Sequence, residues 1–158
     1  MPDPSASILR WLAAGFGSGW LPKAPGTWGS LVSLLPAWLL LETFGVGALF
    51  IASAVILMVG CLVCFLLLPT MAEKDPGWIV IDEWAGQWLC LAMAAGALGA
   101  GFPALVVSFI AFRLLDIFKP CPISYFEHWG PSWWSIMADD VAAAVVGGGI
   151  VIVMAPLI

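Results

Sequence analysis

One uncharged run decides the class of fold: residues 46–68 read VGALFIASAVILMVGCLVCFLLL. A membrane-spanning helix needs about 20 mostly apolar residues, and this run is long enough. The whole chain agrees with it, because 63% of its 158 residues are hydrophobic and only 9% are charged, with a mean hydropathy of +1.07. A water-soluble domain has about 25% charged residues. The sequence therefore predicts a single all-α, polytopic membrane domain over residues 1–158.

The same composition excludes three other classes of protein. Disordered chains are poor in hydrophobic residues, and small secreted scaffolds are dense in cysteine, of which this chain has 4. A nucleic-acid-binding protein needs a basic surface, whereas this chain has 5 Lys and Arg against 10 Asp and Glu. No positively charged leader precedes an apolar core at the N-terminus, so we expect no cleaved signal peptide.

The uncharged runs predict about five membrane helices, at residues 27–41, 46–68, 84–98, 103–119 and 141–158. The run at 84–112 is too long for one span, and glycines and a proline mark a turn within it at 99–103. The run at 27–41 is short and contains Pro36, so we expect this first span to be tilted, kinked or partly embedded. Residues 5–14 suit a short interfacial helix before it.

Nearly all charged residues fall on one side of this predicted topology. Tracing the chain through five spans leaves Glu42 in a far turn and every other charged residue on the side of the N-terminus. All Lys and Arg residues are on that side, and basic residues concentrate on the cytoplasmic side of membranes. The pattern predicts a multi-pass protein of the cytoplasmic membrane whose polar face is turned to the cytoplasm.

Acidic and basic side chains recur at the ends of the predicted spans. Asp82 and Glu83 are predicted to open the third span, and Asp139 and Asp140 the fifth. The end of the fourth span carries Arg113, Asp116 and Lys119, whose spacing of three residues puts them along one helix face. A charged side chain inside a bilayer costs roughly 2.5–3.5 kcal/mol, so such groups usually pair or take part in function.

A purely structural interpretation of these residues is available for each one singly. Acidic residues stabilise helix N-termini by about 0.3–1 kcal/mol, so the two acidic pairs could be helix caps. Arg113 and Lys119 could extend to the membrane surface and orient the helix. Capping alone does not require both acidic pairs, Asp116 and the cations to meet on one face, so the whole set favours a shared site.

The residue types at this face point to phosphate chemistry. Several carboxylates without a His or Cys cluster favour a hard cation, chiefly Mg²⁺, and neighbouring Lys and Arg suit a phosphorylated ligand. The glycine-rich segment at 15–27 ends at Thr27 and could present N–H groups and a hydroxyl to phosphate, although a plain turn fits it equally well. The single His128 and the four cysteines offer neither a Ser–His–Asp set nor a zinc site.

These segments resemble the phosphatidylglycerophosphatase A family of bacterial membrane enzymes over nearly the whole length of the chain. The resemblance rests on four ordered motifs: Gly15-Phe-Gly-Ser-Gly with Pro22-Lys-Ala-Pro-Gly-Thr27, Ile79-Val-Ile-Asp82-Glu83 with Gly86, Phe112-Arg113 with Asp116, Lys119-Pro120 and Pro122-Ile123, and Asp139-Asp140. The chain departs from the family at Ile81, where an aromatic residue is frequent, and at Cys121, where Trp is common. Neither departure alters an expected ligand.

The resemblance implies a Mg²⁺-dependent lipid phosphatase that removes the terminal phosphate of phosphatidylglycerophosphate at the cytoplasmic face of the bacterial inner membrane. On this basis we expect one or two Mg²⁺ to be held by Asp82, Glu83, Asp139 and Asp140. We expect Asp116 to be a further ligand or the base. We expect the substrate phosphate to be bound by Lys23, Thr27, Arg113 and Lys119. Direct attack by a metal-activated water is favoured, and an aspartyl-phosphate intermediate stays open.

Two alternatives remain at the level of the sequence. One is another phospholipid-headgroup enzyme similar to the alcohol phosphatidyltransferases, in which aspartates recur on consecutive helical turns rather than as adjacent pairs on separate helices. The other is a non-catalytic membrane subunit or small transporter, which would place polar residues at mid-depth in a span. The number of metal ions and the oligomeric state, including a homo-oligomer, are left open by the sequence.

Overall fold

The computed structural model describes residues 4–157, and this part of the chain is helical, with no β-strand within it. The α-helices are α1 (Pro4–Ala13), α2 (Pro25–Leu67), α3 (Ile81–Leu98), α4 (Phe102–Phe118), α5 (Ile123–Phe126) and α6 (Ser132–Met154). Three short 3-10 turns lie at Ser18–Trp20, Leu68–Thr70 and Ala155–Leu157. The all-α prediction is confirmed for the described residues. Asp3 and Ile158, the last residue of the predicted fifth span, lie outside them.

Helix α2 is a hairpin of two helical legs that reverse at Gly45. This residue has φ 80 and ψ 179, a conformation that is essentially restricted to glycine. Gly29 in the first leg packs against Val80, and Gly60 in the second leg packs close to Ile81, so both legs reach the start of α3. In a straight helix Gly29 and Gly60 would stand about 46 Å apart. The two legs therefore correspond to the first two predicted spans.

Two helical segments of the described chain are long and apolar enough to cross a membrane. They are Pro25–Thr70, which contains both legs of α2, and Ser132–Leu157, which contains α6. Pro36 lies inside the first leg of α2 and does not end it. Helices α3 and α4 do not meet the same criterion, so the full set of five membrane helices stays a prediction.

Helix α3 is the centre of the bundle and packs against α2, α4 and α6. Small residues let these helices approach closely. A β-carbon at Gly86 of α3 would stand 2.6 Å from the ring of Phe112 in α4 and 3.0 Å from the backbone oxygen of Asp140 in α6. Glycine at position 86 therefore brings the three helices that carry the acidic residues together.

The predicted turn after α3 is confirmed. Helix α3 ends at Leu98, Gly99 follows with φ 84, and α4 begins at Phe102. At its other end, α4 stops at Phe118, and Lys119 takes a left-handed conformation immediately before Pro120. Since α4 runs back along α3, its last residues return to the end of the bundle where α3 begins.

One predicted boundary is wrong, because Asp139 and Asp140 do not open the last helix. Helix α6 begins at Ser132, after Pro131, and the two aspartates lie about two turns further on. The Trp- and Ser-containing residues 132–138 lack the apolar character of the run that follows, so hydropathy places the boundary too late. The helix prediction for residues 5–14 is confirmed by α1, whose Ile8 and Trp11 side chains are exposed.

Candidate active site

Three helices bring five carboxylates together at one end of the bundle. Helix α3 supplies two of them from its first turn, α4 supplies one near its C-terminus, and α6 supplies an adjacent pair. Their oxygen atoms form two groups, Asp82 with Glu83 and Asp140, and Asp116 with Asp139 and Asp140. Within each group the atoms available for a metal lie within 4.8 Å of one another. The predicted convergence is thus present, and Asp140 belongs to both groups.

The carboxylates are buried, and several of their oxygens have no partner. The exposed fractions of Asp82, Asp139 and Asp140 are 8%, 5% and 3%. Glu83 Oε2, Asp139 Oδ1 and Asp140 Oδ2 lack a hydrogen-bond partner within the described part of the chain. Unpaired buried carboxylate oxygens are costly, and hard oxygen ligands at such spacing suit a divalent cation such as Mg²⁺. The residues present therefore fit a metal ion.

The helix-cap interpretation does not account for this cluster. Asp139 and Asp140 lie inside α6, where the N–H groups are engaged along the helix rather than free for a cap. Asp82 Oδ1 does accept a hydrogen bond from the N–H of Glu83 at 3.0 Å, which is a local contact in the first turn of α3. Asp82 and Glu83 therefore lie both at the start of a helix and in the cluster. Asp139 and Asp140 lie in the cluster but not at the start of a helix.

Arg113 connects the cluster to the first turns of α2. Its Nη1 atom lies 2.6 Å from Asp116 Oδ2 and 4.0 Å from Glu83 Oε1. The same atom donates to Ser30 Oγ at 3.4 Å, and Nη2 donates to Thr27 Oγ1 at 3.4 Å. The guanidinium group therefore bridges α2, α3 and α4, and it places the predicted substrate-binding residue Thr27 at the edge of the cluster.

Lys119 lies at the opposite edge of the cluster. Its Nζ donates to Asp139 Oδ2 at 2.5 Å and stands 3.6 Å from Glu127 Oε1. Burial alone would lower the pKa of Lys119, but the hydrogen bond and the charge of Asp139, together with Glu127 and Asp116, raise this pKa above its ordinary value. The ammonium group thus stays protonated at neutral pH beside the acidic residues.

Lys23 and the glycine-rich loop are not part of the cluster. Lys23 is exposed and forms no ion pair with another described residue. The N–H groups of residues 15–21 donate to carbonyls of the loop itself and of the end of α1, so they have no donor left for phosphate. Gly15 instead makes room for Trp84, since a β-carbon there would stand 2.4 Å from Trp84 Nε1. This loop is a packed turn.

The first turn of α2 offers donors that the glycine-rich loop does not. The first hydrogen bond into this helix is donated by Trp28 to the carbonyl of Ala24. The N–H groups of Gly26 and Thr27 precede it and point out of the helix start, as free N–H groups at an N-terminus do. They lie next to Glu83 and Arg113, because a β-carbon at Gly26 would contact both side chains.

Two residues that contact the site are missing from the sequence-based prediction, Gly26 and Ser30, and a third polar residue, Gln87, lies one helical turn beyond Glu83. Ser30 accepts from Arg113 and donates to the carbonyl of Gly26 at 2.9 Å. Gln87 is fully buried one turn after Glu83, and its Nε2 stands 3.5 Å from Ser108 Oγ while its Oε1 has no hydrogen-bond partner within the described part of the chain. The spacing of four residues from Glu83 was the available signal for Gln87.

The described chain is a helical bundle with two segments long and apolar enough to cross a membrane and a buried carboxylate pocket at one end. The family model for PgpA, described as Phosphatidylglycerophosphatase A, matches residues 11–155. The chain therefore belongs to the phosphatidylglycerophosphatase A family, and this membership supports phosphatidylglycerophosphatase activity. No solved structure matches the chain.

Two similar proteins carry the same name. Phosphatidylglycerophosphatase A of Haemophilus influenzae is 38% identical over 137 residues, which cover 87% of this chain and 82% of that protein. Phosphatidylglycerophosphatase A of Escherichia coli is 38% identical over 142 residues, which cover 88% of this chain and 78% of that protein. Both relatives are named as phosphatases. Their names therefore support neither of the two alternatives left open by the sequence, an enzyme similar to the alcohol phosphatidyltransferases and a non-catalytic membrane subunit.

Proposed function

We propose that the chain hydrolyses phosphatidylglycerophosphate to phosphatidylglycerol in a Mg²⁺-dependent reaction at the cytoplasmic face of the inner membrane. The observation that carries this proposal is the pair of carboxylate groups that share Asp140. A buried set of acidic side chains with unpaired oxygens requires positive charge, and a phosphate monoester requires the same charge for its own neutralisation.

The donor set fits one or two Mg²⁺ ions. Asp82, Glu83 and Asp140 would hold one ion, and Asp116, Asp139 and Asp140 would hold a second. When bound, Mg²⁺ neutralises phosphate oxygens and lowers the pKa of a coordinated water, which makes that water a better nucleophile. The shared position of Asp140 makes it the residue on which both groups depend.

The cations at the two edges of the cluster are placed to bind the transferring phosphate. Charge in phosphoryl transfer spreads over the phosphoryl oxygens, and charge-assisted donors stabilise it. Arg113 stands at the α2 edge and Lys119 at the α6 edge, so they can contact the phosphate from two directions. The N–H groups of Gly26 and Thr27 add donors at a helix N-terminus, which favours anions.

Water is the nucleophile in this proposal. The described residues of the pocket are carboxylates, cations, hydroxyls and an amide, and none of them is a cysteine or histidine beside a base. With a single ion in the first group, Asp116 would take the proton of the attacking water; with a second ion held by Asp116, a neighbouring carboxylate would take it. Asp116 is kept in place for that role by its ion pair with Arg113.

The positions of the helix ends support the proposed membrane arrangement. The two legs of α2, with α3, α4 and α6, would give five crossings, and the acidic cluster lies where α3 begins and α4 ends. Glu42 is exposed near the reversal of α2, at the other end of the bundle. With the Lys and Arg residues toward the cytoplasm, the lipid tails stay in the bilayer while the phosphorylated headgroup enters the cluster.

Phosphate release from phosphatidylglycerophosphate by the purified chain in detergent tests this proposal. We expect release with Mg²⁺, none with a chelator, and a loss of at least about a hundredfold in Asp140→Asn and in Asp82→Asn, whose helical content by circular dichroism should be unchanged. Glu42→Gln, at the far end of the bundle, is the matched control and should keep its activity. Full activity in chelator would exclude the metal, and full activity in Asp140→Asn would remove that residue from the site.

A further inference from the structure

A polar cavity lies beside the carboxylate cluster, and hydrolysis of the phosphate itself does not require it. Its volume is about 290 Å³. The cavity shares Asp139 with the cluster, so the two adjoin, and a ligand whose phosphate lies in the cluster could extend into the cavity. Liquid water occupies about 30 Å³ per molecule, so the space is sufficient for a three-carbon unit with its oxygens.

One wall of the cavity is a line of polar residues on α6. Ser132, Ser135 and Asp139 are spaced three and four residues apart, which puts them on the same helix face. Ser135 is largely buried, and its hydroxyl is 3.3 Å from the carbonyl of Ser132. This line runs from the start of α6 down to the carboxylate cluster.

The opposite wall comes from two loops that follow other helices. Lys74 and Asp75 belong to the segment between α2 and α3, and Glu127 follows α5. Glu127 is also 3.6 Å from Lys119, so it connects the cavity to a cation at the edge of the cluster. The cavity is lined by three carboxylates, by Lys74 and by His128. This mixture favours a neutral, hydroxyl-bearing group, and Lys74 is placed to pair with an anion.

We propose that this cavity binds the glycerol unit that separates the two phosphates of the lipid headgroup, with Ser135 contacting its free hydroxyl and Lys74 pairing with the phosphodiester. The inference rests on the proposed function, and it makes Ser135 a determinant of substrate specificity and Lys74 a determinant of substrate affinity. A site that is built to hydrogen-bond a hydroxyl discriminates strongly against an analogue without it, because buried polar groups are then left unpaired.

The test compares two substrates with identical acyl chains, phosphatidylglycerophosphate and an analogue with propanediol in place of the glycerol unit. Wild type should lose about tenfold in kcat/KM on the analogue, and Ser135→Ala should lose about as much on the natural substrate. The two losses should not add when the variant meets the analogue, since both remove the same contact. Additive losses, or equal wild-type activity on both substrates, would overturn the assignment of Ser135.

The role of Lys74 is tested by the KM values for the two substrates. The phosphodiester is present in both substrates, so Lys74→Ala should raise KM for both by a similar factor, about three- to tenfold, and leave their ratio as in wild type. Glu42→Gln is the control, because Glu42 is exposed near the reversal of α2, at the other end of the bundle. An unchanged KM in Lys74→Ala would contradict its role, whereas a wild-type chain that released no phosphate from either substrate would refute the proposed function itself.

Discussion

Gly26 lies directly against the carboxylate of Glu83: a β-carbon at residue 26 would stand 2.1 Å from Glu83 Oε1 and 3.2 Å from Arg113 Nη2. The space that a side chain would fill is taken by a residue of the acidic cluster. We expect Gly26→Ala to displace the end of the flexible Glu83 side chain and to reduce phosphate release by at least about tenfold. The free energy of unfolding should change little, because the cost of displacing Glu83 is offset by the preference of a helix for alanine over glycine, about 1 kcal/mol.

The control for this prediction lies on the same hairpin. Gly47 in the second leg of α2 has open space where a β-carbon would stand, with no atom within 4 Å, so Gly47→Ala should leave both phosphate release and the unfolding temperature close to wild type. Equal activity in the two variants would show that the position of Glu83 does not matter for the reaction.

Local sequence signals predict part of this site, and tertiary packing determines the rest. An acidic pair directly before an apolar run correctly locates Asp82 and Glu83 at the start of α3. The same signal misplaces Asp139 and Asp140, because residues 132–138 form helix without being strongly apolar. The contact of Gly26 with Glu83 joins segments 57 residues apart, and no local pattern encodes it.

Arg113 is expected to depend on its planar, forked shape as well as on its charge. Arg113→Lys keeps one positive charge but cannot reach Asp116, Ser30 and Thr27 together, as the guanidinium group does. Hydrogen bonds that involve a charged group contribute about 1.5–3 kcal/mol, so kcat/KM should fall roughly 10- to 100-fold. Arg10→Lys, an exposed position on α1, should have no effect. Wild-type kinetics in Arg113→Lys would show that charge alone is sufficient.

The protonation of Lys119 can be measured by acylation, which requires the neutral amine. Because the hydrogen bond to Asp139 and the nearby acidic charges raise the pKa of Lys119 above its ordinary value, its neutral fraction at about pH 9 should be small. We expect mass spectrometry to show that Lys119 is acylated at least about tenfold more slowly in the wild type than in Asp139→Asn. Asp139→Asn removes the main partner and should accelerate acylation of Lys119. An equal rate in wild type and Asp139→Asn would mean that access, rather than the ion pair, protects the amine.

Mg²⁺ is expected to stabilise the folded chain as well as to support catalysis. A ligand that binds only the folded state at a hundred times its Kd adds about 2.7 kcal/mol to the free energy of unfolding. Thermal unfolding in detergent should therefore shift upward with Mg²⁺ and return to its starting value with a chelator. Glu42→Gln should show the same shift, and Asp140→Asn should show little of it, because both carboxylate groups lose their shared member. A full shift in Asp140→Asn would assign the ion to another place on the chain.

The reversal of α2 depends on the backbone conformation of Gly45 rather than on space around it. No atom lies within 4 Å of a β-carbon position at this residue, yet its φ of 80 is one that other residues rarely adopt. Gly45→Ala should therefore reduce the free energy of unfolding by about 1–3 kcal/mol, measured by thermal or denaturant unfolding in detergent. Gly47→Ala, two residues further on and equally open, isolates the effect of conformation and should keep or slightly raise stability, since alanine favours a helix over glycine by about 1 kcal/mol. If Gly45→Ala were as stable as Gly47→Ala, α2 would have to turn elsewhere, and the two legs would no longer be held together at the start of α3.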